Sequence, residues 1–141
     1  MAIFNKFNKF VEDISEKVHN LQADTLKIML TNTVPLATNT VKADLSEIAS
    51  GNGYTTGGTQ ATVSSSTHAS GVYKLVLADV IFTASVGSIG PFRYAVLYND
   101  TPTSPADPLI GWWDYGSSLT LASGETFTVD FDPSTGVLTI T

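Results

Sequence analysis

Two neighbouring stretches of the chain, Gly90–Thr101 (GPFRYAVLYNDT) and Leu109–Ser118 (LIGWWDYGSS), hold both tryptophans and three of the five tyrosines. Aromatic and β-branched side chains favour pleated, half-buried surfaces, and aromatic side chains bury the most area per residue. The two stretches therefore predict strands that build the core, joined by loops. Neither stretch holds Cys, His or a glycine-rich loop leading into a helix. This composition indicates a scaffold that packs and presents a surface, not a reaction centre.

Short segments of strand-like pattern continue on both sides of these stretches. In the first of them, Leu26, Ile28 and Leu30 share one face, the period-two alternation of a half-buried strand. Turn residues separate the segments that follow, which are Thr62–Ala69, Val72–Leu77, Val80–Ala84, Phe92–Tyr98, Leu109–Asp114, Leu119–Leu121, Glu125–Asp132 and Val137–Thr141. The set predicts a mainly β protein, with an antiparallel β-sandwich or jelly-roll-like domain over residues 22–141. We expect its core to include Tyr94, Val96, Phe127 and Val129.

The first 21 residues show a different period. Apolar residues recur there at alternating spacings of three and four, namely Phe4, Phe7, Val11, Ile14, Val18 and Leu21. This narrow stripe predicts an N-terminal amphipathic α-helix that forms an arm over residues 1–21. The helix can dock on its own domain, or it can pack against a neighbouring subunit or another partner. A narrow apolar stripe with large Phe side chains favours the second arrangement. The contact residues would be Phe4, Phe7, Val11, Ile14 and Val18. We expect the helix to become fully ordered only when the protein assembles with its partner.

The charge of the chain is low and unevenly placed. Only 14% of the 141 residues are charged, and the net charge of −6 arises after residue 74, where Arg93 stands alone against seven acids. An acidic chain is a poor direct partner for nucleic acid. No segment approaches the roughly 18 continuous apolar residues of a membrane helix, and the first ten residues lack a signal-peptide pattern. We therefore expect neither nucleic acid nor a membrane as a partner.

Residue types that carry chemistry are few. Only His19 and His68 titrate near neutral pH, and we expect the first to be structural and the second a polar surface residue. Asp130 and Asp132 faintly resemble a calcium loop, but its glycine and closing glutamate are missing. We therefore expect no catalytic residue, no cofactor and no metal.

The adjacent residues Trp112 and Trp113 are the other candidates for an interaction site. A tryptophan pair can form a platform on which a sugar stacks. Since neighbouring residues of a strand point to opposite faces, however, we expect one indole in the core and the other exposed or at an interface.

Several blocks along the chain resemble a family of small virion proteins of tailed bacteriophages. The blocks are His19-Asn-Leu21 with Asp24–Thr33 (DTLKIMLTNT), Glu47–Tyr54 (EIASGNGY) with Gly57-Gly58, Gly90–Thr101, Leu109–Ser118 and Gly124–Phe131 (GETFTVDF). Together they extend over nearly the whole chain. Members of such families are generally structural and have no known catalytic residues.

The resemblance implies a non-enzymatic virion protein made in the host bacterial cytoplasm. Its favoured role is that of a capsid decoration, or cement, protein, which stabilises the head shell by binding the major capsid protein and copies of itself. The alternative is a tail or receptor-binding module that recognises a host-surface glycan through exposed aromatic side chains and the proline-rich loop Thr101–Pro108. An enzyme would need a nucleophile paired with a base, and the sequence does not provide an evident pair.

Overall fold

The computed structural model describes residues 2–141, which form a mainly β structure with antiparallel sheets. Strand accounts for 46% of the residues and helix for 6%. The elements, in chain order, are β1 Asn5–Lys6, α1 Phe10–Ser15, β2 Leu26–Thr31, a 3₁₀ turn Lys42–Asp44, β3 Thr59–Gln60, β4 Val63–Ala69, β5 Val72–Leu77, β6 Val80–Thr83, β7 Ile89–Asn99, β8 Leu109–Leu121, β9 Thr126–Val129 and β10 Leu138–Ile140. The predicted mainly β, antiparallel fold with an N-terminal helix is confirmed.

The strands form three sheets. The largest has the order β1-β8-β7-β2-β3, a second has the order β10-β5-β4, and β6 pairs with β9. The long strands β7 and β8, which carry the two aromatic stretches, lie side by side in the largest sheet. The two segments expected at Leu109–Asp114 and Leu119–Leu121 belong to one continuous strand, β8.

The main hydrophobic core lies between the five-stranded sheet and the two smaller sheets, which gives a sandwich-like arrangement. One face of β2 and β7 supplies residues such as Ile28 and Leu97, and the smaller sheets contribute Leu75, Phe82 and Val129. Ile28, Leu75 and Leu97 are all fully buried. Burial of this apolar surface is the dominant favourable contribution to folding.

A second hydrophobic cluster covers the other face of the five-stranded sheet. Its buried members are Phe7, Met29, Leu45, Val96, Tyr98 and Leu109. The largest sheet is therefore buried on both faces over its central strands, and the N-terminal segment supplies part of the cover.

The side chains of β7 alternate between the two faces of the sheet, and a β-bulge reverses which residues point to which face. The sequence pattern places Phe92, Tyr94 and Val96 on one face, but Phe92 lies in the main core and Val96 in the second cluster. The pairing with β8 shifts register between Phe92 and Tyr94. A β-bulge inserts an extra residue and reverses the faces that follow it. Tyr94, Val96 and Val129 are buried as expected, whereas Phe127 is half-buried at the edge of the main core.

The N-terminal helix is much shorter than the stripe predicts. It covers only Phe10–Ser15, and the preceding Asn5–Lys6 form a strand that pairs with β8. Phe7 continues this pairing, since its N–H donates to the carbonyl of Ile110 at 3.2 Å. The segment is thus docked on its own sandwich, which corrects the expectation of one continuous helix over residues 1–21. The division into an arm and a body domain stays a prediction.

Candidate interaction surface

The residues proposed for an interface do not form one exposed stripe. Phe7 is fully buried, Phe4 and Ile14 pack partly buried against the main core, and Val18 is half-buried. Val11, on the outer side of α1, is 49% exposed. Most of the stripe therefore records how the segment packs on its own domain, and only Val11 is left to contact another molecule.

Phe7 packs against Trp112 on the outer face of the five-stranded sheet. The two ring centroids lie 4.5 Å apart with the ring planes tilted. This separation is within the range of favourable aromatic pairs, which contribute about 0.5–1.5 kcal/mol beyond their buried area. The contact anchors the N-terminal segment over the second hydrophobic cluster.

Phe4 packs against Trp113 on the opposite face. The ring centroids are 5.3 Å apart, and Trp113 also makes an edge contact with Phe131 at 5.5 Å. The Phe4 ring lies directly over Gly111, where an added Cβ would overlap the ring. Gly111 thus leaves the space that the N-terminal strand occupies.

Both tryptophans are half-buried, and they belong to different hydrophobic clusters. The expectation that adjacent residues point to opposite faces is met. We expected one indole in the core and the other exposed or at an interface; both are half-buried, because the N-terminal segment packs an aromatic side chain against each of them.

Three apolar residues that the sequence analysis did not single out are well exposed near the N-terminal segment. Ile3 is 78% exposed, Val34 60% and Leu36 57%. The Asn8 N–H donates to the carbonyl of Ala37 at 2.8 Å, which joins the loop carrying Val34 and Leu36 to the segment carrying Ile3 and Val11. We call Ile3, Val11, Val34 and Leu36 the N-terminal apolar surface. The apolar residues Val34 and Leu36 on either side of Pro35 are the feature of the sequence that could have indicated this surface.

A groove of about 460 Å³ lies between the N-terminal segment and the three-stranded sheet. Its walls include Ile14, His19 and Leu21 on one side and Ser66, Tyr73 and Ile140 on the other. His19 is 5% exposed, and burial lowers the pKa of its imidazole from the usual value of 6.5. His68 lies exposed on β4. The two histidines therefore differ in environment, and neither is paired with a nucleophile by a hydrogen bond among residues 2–141.

The turn after β9 uses its carboxylates for local hydrogen bonds. Asp132 Oδ1 accepts the Ser134 N–H at 2.7 Å, and this bond holds the pKa of Asp132 below its ordinary value. Within residues 2–141, no group of three His, Cys, Asp or Glu side chains is placed to hold a metal ion. No helix in the same range is long and apolar enough to cross a membrane.

Comparison with known proteins gives no relative. No protein-family model matches the chain, and no curated protein or solved structure matches it significantly.

Proposed function

We propose that this chain is a non-enzymatic structural protein of a tailed-bacteriophage virion, and more specifically a capsid decoration protein. It binds the major capsid protein and copies of itself, and it resides in the virion after synthesis in the host cytoplasm. The resemblance of its sequence blocks to small virion proteins supports the proposal. Many copies of such a protein stabilise a shell by mass action even where each contact is modest.

The structural observation that carries the proposal is the N-terminal apolar surface. Of the nine large apolar side chains that are exposed within residues 2–141, these four are carried by two segments that the Asn8–Ala37 hydrogen bond joins. Exposed apolar residues grouped on neighbouring segments are typical of a protein–protein contact, whereas single scattered ones need no explanation.

The test is co-sedimentation of the purified protein with phage head shells that lack it. We expect the wild-type protein to sediment with the shells at neutral pH, and a Val11→Asp, Leu36→Asp double variant to lose most of this binding. Val86→Asp is the matched control, because Val86 is 94% exposed in the turn between β6 and β7. Circular dichroism of each variant confirms that the fold is intact.

Of three decisive results, the first and the third contradict the decoration role, and the second contradicts the contact surface assigned to it. If the wild-type protein does not sediment with head shells but binds host cells, the protein is better explained as a tail module that recognises a host glycan. If the double variant binds shells like the wild type while Val86→Asp does not, the contact surface lies elsewhere on the sandwich. An electron-microscopy map of the virion that lacks density for the protein on the head also excludes the decoration role.

A further inference from the structure

His19 lies in the chain that follows α1, and its ring packs between Phe10 of α1 and Asn99 at the end of β7. Its ring centroid is 5.3 Å from that of Phe10, and its Nδ1 is 3.0 Å from the side-chain nitrogen of Asn99. Asn99 is itself fully buried. The imidazole therefore joins residues that are far apart in sequence, at a place where water is largely excluded.

The orientation of the Asn99 amide is fixed from two sides. Its Nδ2 donates to Asp24 Oδ2 at 2.7 Å, and its Oδ1 accepts the Thr101 N–H at 3.1 Å. A carboxylate only accepts and an N–H only donates, so exchanging the amide oxygen and nitrogen would break both bonds. The group that faces His19 is consequently an NH₂ donor.

This orientation fixes the protonation state of His19. Because Asn99 donates to it, Nδ1 is the acceptor, and the ring is neutral with its proton on Nε2. Protonation would place a second donor at Nδ1, directly opposite the Asn99 NH₂ group. Two donors at hydrogen-bond distance repel each other, so the imidazolium cannot keep this contact.

The charged groups around the ring do not compensate for this repulsion between the two donors. Asp13 on α1 and Asp24 before β2 both favour the imidazolium, but burial of the ring outweighs them and lowers the pKa of His19. Asp13 is 2% exposed and its Oδ1 is held by Lys9 Nζ at 3.1 Å, while Lys17 lies on the wall of the same groove. Asp13 Oδ2 and His19 Nε2 are buried and have no hydrogen-bond partner within the described residues.

We propose that His19 and Asn99 form an acid-sensitive latch that holds the segment Phe10–Asp24 against the sandwich. With His19 neutral, the latch is closed and the segment forms one wall of the groove beside the three-stranded sheet. Protonation of His19 breaks the contact with Asn99 and shifts the equilibrium toward release of this segment, which Phe10 and Leu21 otherwise anchor in the main core, while β1 and Phe7 keep the chain attached to the five-stranded sheet. The proposal is independent of the decoration role, which is tested at neutral pH.

The direction of the pH dependence follows from the lowered pKa. In the released state, His19 is in water and titrates near its usual value of 6.5. Between that value and the lower pKa of the closed state, only the released state binds the extra proton. The closed state is therefore fully stable above the usual value and loses stability as the pH falls below it, until the closed-state pKa is reached.

Hydrogen exchange measured by mass spectrometry tests the latch directly. We expect amides in Phe10–Asp24 of the wild-type protein to lose protection between about pH 7 and about pH 5, after correction for the intrinsic exchange rate, by about tenfold for each unit by which the pKa is lowered. The hairpin Val63–Leu77 should stay protected. His19→Gln removes the titration and should abolish the loss, whereas His68→Gln, at an exposed histidine, should leave it unchanged.

The latch is overturned if wild-type protection in Phe10–Asp24 is the same at both pH values, if His19→Gln shows the same loss, or if His68→Gln abolishes it. Should His19→Gln fail to fold, the wild-type protein decides the question through nitrogen NMR of its two imidazoles. We expect His19 to be the Nε2-protonated tautomer at neutral pH and to titrate below its usual value of 6.5. An Nδ1-protonated His19, or one that titrates at or above the usual value of 6.5, contradicts the latch.

Discussion

The Tyr54 hydroxyl connects the loop before β3 to the five-stranded sheet. It donates to Glu47 Oε2 at 2.6 Å and accepts the Leu30 N–H at 3.0 Å. Glu47 also accepts the Gly57 N–H at 2.6 Å and forms an ion pair with Lys42 at 2.8 Å. Burial and the Glu47 carboxylate both raise the pKa of the Tyr54 hydroxyl, which therefore stays protonated as a donor.

Replacing Tyr54 by Phe should lower the free energy of unfolding by about 1–3 kcal/mol, because the Leu30 N–H and one lone pair of Glu47 are left without a buried partner. Tyr115→Phe is the matched control, since Tyr115 is 54% exposed. Urea unfolding at neutral pH measures both variants. An equal and small effect of the two substitutions would show that the Tyr54 hydroxyl does not stabilise the loop.

At the scale of single elements, the short strand β1 determines how the N-terminal segment is placed. It adds to the edge of β8, with Asn5 opposite Trp112 and Lys6 opposite Gly111. Phe4 and Phe7, on either side of this strand, then reach opposite faces of the sheet and pack against Trp113 and Trp112. A two-residue strand thereby fixes two aromatic contacts that a free helix would not make.

Phe7→Ala should destabilise the fold by about 3–5 kcal/mol, as expected for removing a large aromatic side chain from a buried site. Val11→Ala, four residues along the chain at a half-exposed site, should change stability by no more than about 0.5 kcal/mol. Thermal unfolding monitored by tryptophan fluorescence reports both effects, since Trp112 loses its neighbour in Phe7→Ala. Similar midpoints for the two variants would mean that the segment contributes little to the core.

At the scale of the whole molecule, the five-stranded sheet needs cover on both faces. The smaller sheets cover one face, and Phe7 and Leu45 of the second hydrophobic cluster cover the other, which carries Trp112 of β8. Phe10 and Leu21 of the N-terminal segment also lie in the main core. The segment thus contributes to both hydrophobic clusters, although it lies at one end of the chain.

Deleting residues 1–21 should therefore lower the thermal midpoint strongly or prevent folding, because it uncovers Trp112 and Met29 on one face and removes Phe10 from the other. Circular dichroism during heating checks this, with the full-length chain as reference. A truncated protein that keeps the β spectrum and melts like the full chain would instead support the division into a separable arm and a body domain.

The amino-acid sequence by itself indicated most of the strands of the sandwich and many of the residues that leave water. The period-two pattern of Leu26, Ile28 and Leu30 and the aromatic stretches of β7 and β8 are local signals, and the structure confirms them as strands. The glycines that follow Ser50, four of them within residues 50–58, are another local signal, typical of a loop with unusual backbone angles or a close approach of two chain segments. Gly58 confirms it, with a φ of +81° and a position where a Cβ would overlap the Ile28 carbonyl.

Only the tertiary structure decided what each apolar residue packs against. The stripe from Phe4 to Leu21 has helical spacing, yet it is divided between a strand and a six-residue helix, because β8 offers Asn5 and Lys6 backbone partners. Such pairing joins residues more than a hundred positions apart, and no local periodicity reports it. The bulge in β7 likewise moves Val96 to the second cluster. A spacing pattern records that side chains are buried, whereas the faces they share depend on long-range strand pairing and on the register it imposes.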